Sequence, residues 1–118
     1  MARPFDFHVG PKREARLRQE GRCALCGDVL DDLEEHAHHV IPNQSGDPRN
    51  PAHRWIATAE NCVILCDMCH ERVHADGRYR RGAVAPPSYY PHSHGSKASA
   101  HSAWAMVLDR RAKALWGR

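Results

Sequence analysis

With 118 residues the chain has room for one domain and not two, and a hydrophobic fraction of 42% with two Phe, three Trp and three Tyr leaves few large anchors for a core. A domain this small and this poor in aromatics needs a staple, and a structural metal is a common one. A net charge of +3 with neutral histidines is too mild to mark a nucleic-acid binder by itself, and no run approaches membrane-spanning length.

In chain order, Met1 to Gly10 reads as an extended arm, and Met1 to His8 lacks the apolar stretch of a signal peptide. Pro11 to Glu20 reads as a short charged helix, with Pro11 in its first turn and Gly21 as its stop. Cys23-Ala-Leu-Cys26-Gly27 reads as a zinc knuckle, Gly27 permitting a left-handed turn. Val29 to Glu35 is acidic turn or loop. His36 to Ile41 reads as a strand ended by Pro42, which cannot donate to a ladder. Asn43 to Pro51 is turn chemistry, and His53 to Thr58 is ambiguous. Cys62 to Leu65 is a second short strand, and Asp67 to Ala75 a helix with Asp67 at its positive end and Asp76-Gly77 closing it. Arg78 to Ser96 is irregular, broken by Pro86, Pro87 and Pro91. Lys97 to Trp116 is the longest helix, with Trp104, Leu108, Arg111 or Ala112, and Leu115 at helical spacing beside Val107. The chain thus divides into 1–21 (arm and helix), 22–76 (knuckles, strands and helix), 77–96 (irregular) and 97–118 (final helix).

Four of the five cysteines form two pairs, Cys23-x-x-Cys26 and Cys66-x-x-Cys69. Each pair sets two sulfurs on one tight turn at tetrahedral separation, so four thiolates suit a closed structural zinc. The long spacer is tolerable because loop-closure cost grows slowly with length. Cys62 falls outside both pairs and reads as a small buried hydrophobe. An odd cysteine count and no leader favour reduced thiols and a cytoplasmic setting.

The histidines form a second set. His70 and His74 stand one helical turn apart, so both imidazoles reach one ion, and Cys69 pins the helix that carries them. His38 and His39 are adjacent on a strand and point different ways, which suits one ligand and one general base. A base histidine needs its other nitrogen held, by a side-chain amide such as Asn61 or by a backbone carbonyl. Two helix imidazoles with a third nearby suit an open metal site with hydrolytic chemistry.

Glu-His-Ala-His38-His39-Val-Ile-Pro42 followed by Glu60-Asn61-Cys-Val-Ile-Leu-Cys66-Asp-Met-Cys69-His70-Glu-Arg-Val-His74 resembles the HNH endonucleases, in their cysteine-bearing branch. The resemblance spans about Arg22 to His74 and implies a small α+β fold with a ββα-metal, treble-clef-like core stapled by the four-cysteine zinc. It implies metal-dependent hydrolysis of DNA phosphodiester bonds. His39 then stands at the general base and Asn61 at the asparagine that orders the strands and helps hold that base. His38, His70 and His74 stand at the ligands of one divalent ion on the scissile phosphate. Many relatives carry Asp at the position of His38. Three imidazoles favour Zn, Ni, Co or Mn, whereas Mg prefers oxygen ligands. His36 shares a strand face with His38, and the Val-Ile-Pro that follows selects His38-His39.

Arg72, Arg78, Arg80 and Arg81 are candidate phosphate contacts, with solvated surface the alternative for each. Tyr79, Tyr89 and Tyr90 have the chemistry to stack on bases but suit core packing better. The final helix covers an apolar face or makes a homodimer. Two further readings stay open: a non-catalytic four-cysteine zinc module that binds nucleic acid or protein, and a toxin nuclease domain with an immunity protein as partner.

Overall fold

The computed structural model describes residues 3–31, 34–75 and 85–116. Its elements are α1 (Val9–Arg18), β1 (Glu35–His39), β2 (Cys62–Cys66), α2 (Asp67–Ala75) and α3 (Ala98–Trp116), with short 3₁₀-helices over Asn43–Ser45, Pro51–Ala57, Ala59–Asn61 and Pro87–Tyr89. The fold is a small α+β one built on a two-stranded antiparallel sheet, in which Glu35 pairs with Cys66, Ala37 with Ile64 and His39 with Cys62.

β2 is buried at all five positions. Its unbroken run Cys-Val-Ile-Leu-Cys is what a strand covered on both faces requires, and both α1 and α2 pack against it. β1 lies at the margin, and only His38 of its five residues is fully buried.

Among the described residues the outer edge of β2 meets no third strand and is closed by other groups. Gln19, itself fully buried, donates from Nε2 to the Ile64 carbonyl at 2.9 Å and accepts the Ile64 N–H on Oε1 at 2.8 Å, as a neighbouring backbone would. Arg18 reaches the Cys62 carbonyl at 2.6 Å, and the Ala24 N–H reaches the Ile64 carbonyl at 3.0 Å. A buried unpaired backbone group costs about 1–3 kcal/mol. Gln19→Leu keeps the volume but strands the buried Ile64 N–H, while Ala24 still serves the Ile64 carbonyl, and is therefore expected to lower unfolding stability by about 1–3 kcal/mol in urea denaturation. An unchanged midpoint contradicts this role for Gln19.

α1 starts at Val9 rather than Pro11. Its end is a Schellman turn: Gly21 N–H bonds to Arg16 O and Glu20 N–H to Leu17 O, both at 3.0 Å. The left-handed residue at the turn is Glu20 (φ 58°), with Gly21 following at 71°. A glutamate tolerates that backbone here because its carboxylate is tied to Ser96, accepting from N at 3.2 Å and Oγ at 3.0 Å. Gly27 does adopt the left-handed conformation expected of it, at φ 81°.

α3 begins one residue later than expected and buries Trp104 and Leu108. Trp104 Nε1 donates to the Glu60 carbonyl at 2.6 Å, and Arg111 pairs with the Glu60 carboxylate while lying 5.1 Å over the Trp55 ring. α3 thus grips the turn immediately before β2. The ambiguous stretch around His53 to Thr58 is 3₁₀-helical over Pro51–Ala57, started by Asn50, whose side chain accepts the Ala52 N–H. β1 stops at His39 instead of running to Ile41, because Asn61 takes over the pairing: its carbonyl accepts the Val40 N–H and its Oδ1 accepts the Ile41 N–H. The N-terminal arm is packed, with Phe5 and Phe7 buried. The expected helix stop at Asp76-Gly77, and Arg78, Tyr79, Arg80 and Arg81, lie outside the described residues. Among the described residues, no helix is long and apolar enough to cross a membrane.

Candidate active site

The two cysteine pairs meet. Cys23 and Cys26 come from the knuckle after α1, Cys66 from the last position of β2 and Cys69 from the first turn of α2, and their four sulfurs lie within 4.8 Å of one another. Cys26 Sγ and Cys66 Sγ are 3.9 Å apart, close to the roughly 3.8 Å edge of a tetrahedron with Zn–S bonds of about 2.3 Å. Burial raises the Cys26 thiol to about 11 and pushes Cys69 up as well, with Cys23 adding to both. Cys23, although burial works against it, is held below its ordinary value by backbone donors, among them the Cys66 N–H. Crowded thiols of this kind resist ionising together without a cation, and a thiophilic one reverses the sign of that cost. The donor set therefore fits a structural zinc. Cys62 stands apart, fully buried with its thiol raised to about 12 by burial, as expected of a packing residue.

A second cluster joins the strand to the helix. One nitrogen each of His38, His70 and His74 lies within 4.8 Å of the others. His70 Nε2 and His74 Nε2 are 3.0 Å apart. The three rings stand edge to face, at 75° for His38 with His70, 89° for His38 with His74 and 77° for His70 with His74. Helical spacing sets the last two side by side, and the pleat aims His38 at them. Burial, then the neighbouring imidazoles His74, His70 and His39, pushes His38 down to about 3; burial and His74 also lower His70. Neutral imidazoles are the ligating form, so these residues fit a divalent ion that accepts nitrogen donors.

His36 sits beside this cluster and outside it. It stacks on His70 at 4.3 Å and 9°, and its Nε2 meets Asp67 Oδ1 at 2.9 Å. The Glu34–His36–Asp67 group converges as well, but its carboxylates are largely exposed.

His38 has a pH signature. A histidine whose folded value lies below its unfolded value of about 6.5 costs stability as the pH falls, because the unfolded chain binds the proton first. Stability is therefore full above pH 6.5 and declines toward about pH 3. Between pH 7 and 5, wild type is expected to lose about 2 kcal/mol more in urea denaturation than His38→Asn. Equal losses contradict it.

His39 points away from the cluster. Its Nε2 lies 2.7 Å from the carbonyl oxygen of Phe5, and its ring stacks on Phe7 at 3.8 Å and 11°. A carbonyl only accepts, so Nε2 carries the hydrogen and Nδ1 the lone pair of the neutral ring. Burial lowers the basicity of His39 and the Phe5 carbonyl raises it. His39 and His70 both line an open cleft of about 410 Å³ with Lys12, Asp6, Glu35 and His36. The β1 residues in its wall come from both faces of the strand, so the cleft runs along the edge of β1 that faces away from β2.

Asn61 is fully buried and serves the backbone. Besides accepting the Ile41 N–H at 2.8 Å, it donates from Nδ2 to the carbonyls of Ile41 at 2.9 Å and Ile56 at 3.0 Å. It orders the crossing from β1 into the long loop. The group that meets the ring of His39 is the Phe5 carbonyl, the second of the two kinds of holder expected.

Among the candidate phosphate contacts, Arg72 is turned away from the histidine cluster. It is exposed on α2 two residues from each of His70 and His74, and at about 100° per residue that is the opposite helix face. Tyr90 is fully buried with its ring 6.1 Å from His38, a packing role, and Tyr89 packs edge-on against it. Sequence reasoning missed Lys12 in the cleft wall and Arg3, whose charge bears on His39. Both lie on the arm and α1, far along the chain from the motif, and no local pattern marks them. The carboxylates of the cleft are engaged: Glu35 pairs with Arg16 at 3.1 Å, and Asp6 accepts from Arg3 N and Asn43 Nδ2.

The chain matches none of the protein-family models and none of the curated proteins with which it was compared.

Proposed function

We propose that the chain is a metal-dependent endonuclease of the HNH type with a ββα-metal core, hydrolysing phosphodiester bonds in DNA. One observation carries the reading: three imidazoles converge from β1 and α2, while the next residue on β1, His39, opens with His70 onto a single cleft. A zinc-binding module has no use for that juxtaposition.

His38, His70 and His74 would hold the catalytic ion, with Zn, Ni, Co or Mn suited to the nitrogen donors and Mg less so. When bound, such an ion supplies Lewis-acid stabilisation of the charge that develops on phosphate oxygens. The rest is the work of side chains. His39 Nδ1 takes a proton from a water molecule as its oxygen attacks phosphorus, and Nε2 stays hydrogen-bonded to Phe5, which favours the imidazolium that forms. The bond to the 3′ oxygen breaks with its electron pair on that oxygen, which takes a proton from solvent water to leave as a hydroxyl. Lys12 and Arg3 draw the phosphate toward the cleft. The four-cysteine zinc fixes the start of α2 and with it the spacing of His70 and His74 from β1.

Incubating supercoiled plasmid with the zinc-loaded chain and Mg, Mn, Ni, Co or Zn in turn tests this. Conversion to nicked or linear DNA with at least one ion is expected, and intact plasmid with all five overturns the proposal.

A further inference from the structure

The residues before α1 are built onto the site. Phe5 and Phe7 are 5% and 9% exposed, values of a core rather than of an arm. Between them they hold His39 on two sides, Phe5 through its carbonyl at 2.7 Å and Phe7 by a parallel stack at 3.8 Å. The segment is clamped in turn by Asn43, which is 3% exposed. Asn43 Oδ1 accepts the Phe5 N–H at 3.2 Å and Nδ2 donates to Asp6 Oδ1 at 3.0 Å. The other carboxylate oxygen of Asp6 accepts the Arg3 N–H at 2.9 Å, closing the turn. Gly46, at the end of the same short helix as Asn43, leaves no room for a side chain: a Cβ there would sit 2.8 Å from the Phe5 ring and press on Ile56.

We infer that residues 3–7, locked by Asn43, form the positioning element of His39: the Phe5 carbonyl sets which ring nitrogen carries the hydrogen, and the Phe7 face sets the ring plane. Neither role is carried by the strand on which His39 sits. Without the clamp the ring loses the carbonyl and the stack that fix its χ2 and its tautomer, and the nitrogen that should accept a proton is presented only part of the time. Asn43 and Phe7 act through His39 and need not touch the substrate. The catalytic consequence rests on the proposed nuclease reading, whereas the control of the ring does not.

The test uses the full-length zinc-loaded chain and two readouts. Ring nitrogen shifts of His39 in ¹⁵N-edited NMR at pH 8 report the tautomer directly. The expected result is one Nε2–H form in wild type, a visible Nδ1–H population in Asn43→Ala and in Phe7→Leu, and recovery of the single form in Phe7→Tyr, which keeps the stack. Plasmid cleavage should follow, with kcat reduced about ten- to a hundredfold in the first two variants and KM unchanged, the size expected for a misplaced catalytic group. Phe7→Leu and Phe7→Tyr decide the matter if Asn43→Ala does not fold. A His39 ring that keeps the pure Nε2–H form in Phe7→Leu overturns the inference, whatever the cleavage result. A wild-type chain that cleaves nothing yet shows the tautomer shift overturns the nuclease proposal and leaves the positioning role standing.

Discussion

His39→Ala is expected to leave the fold and both metal centres intact while plasmid cleavage falls by about a hundred- to ten-thousand-fold, the usual weight of a general base. The separation rests on geometry. His39 is only half-buried and its neighbours are Phe5 and Phe7, so its removal costs a stack and one hydrogen bond at the margin of the core. The cluster of His38, His70 and His74 is on the opposite face of β1 and includes no atom of it. The loss should therefore appear in kcat with unchanged metal content and an unchanged circular dichroism spectrum. Normal cleavage by His39→Ala removes it from the base role. Cleavage lost together with the fold removes the distinction drawn here between the two faces of the strand.

The second large effect lies at the cysteines. Cys66→Ser is expected to abolish cooperative folding. A structural zinc contributes on the order of 10 kcal/mol to a small domain, comparable with the whole stability of a typical one. Here the loss would spread at once, because Cys66 ends β2, its N–H bonds to Cys23 Sγ at 3.4 Å, and α2 with His70 and His74 begins at the next residue. Cys62→Ala, four residues earlier on the same strand, should keep the zinc and cost only about 1–2 kcal/mol of packing. Thermal unfolding with zinc analysis separates them. A Cys66→Ser chain melting with the wild type contradicts the structural role of the cluster.

The parts of the site legible in the sequence are those where chemistry and spacing are local. Asp67–Ala75 is a helix with the expected bounds because a buried apolar strand, an aspartate at the positive helix end and a cysteine pair follow one another without interruption. Cys66 and Cys69 announce their partners by type, and Gly27 its backbone by position. What was not legible depends on contacts between segments far apart. Phe5 gives no sign that its carbonyl will meet His39, since any residue has a carbonyl and only the fold brings this one across. Gln19 reads as an ordinary helix residue until its side chain is seen to bond both backbone groups of Ile64 on β2. Arg72, exposed on the helix face opposite His70 and His74, sits where the helical period alone puts it.

The account depends on two distinct metal centres in one small chain. Native mass spectrometry of the chain saturated with Zn, and then with Mn or Ni, counts them. Two ions per wild-type chain are expected, falling to one in His70→Ala/His74→Ala with the four-cysteine ion retained and the fold unchanged. A wild-type chain that saturates at a single ion, or a double variant that still binds two, contradicts the account.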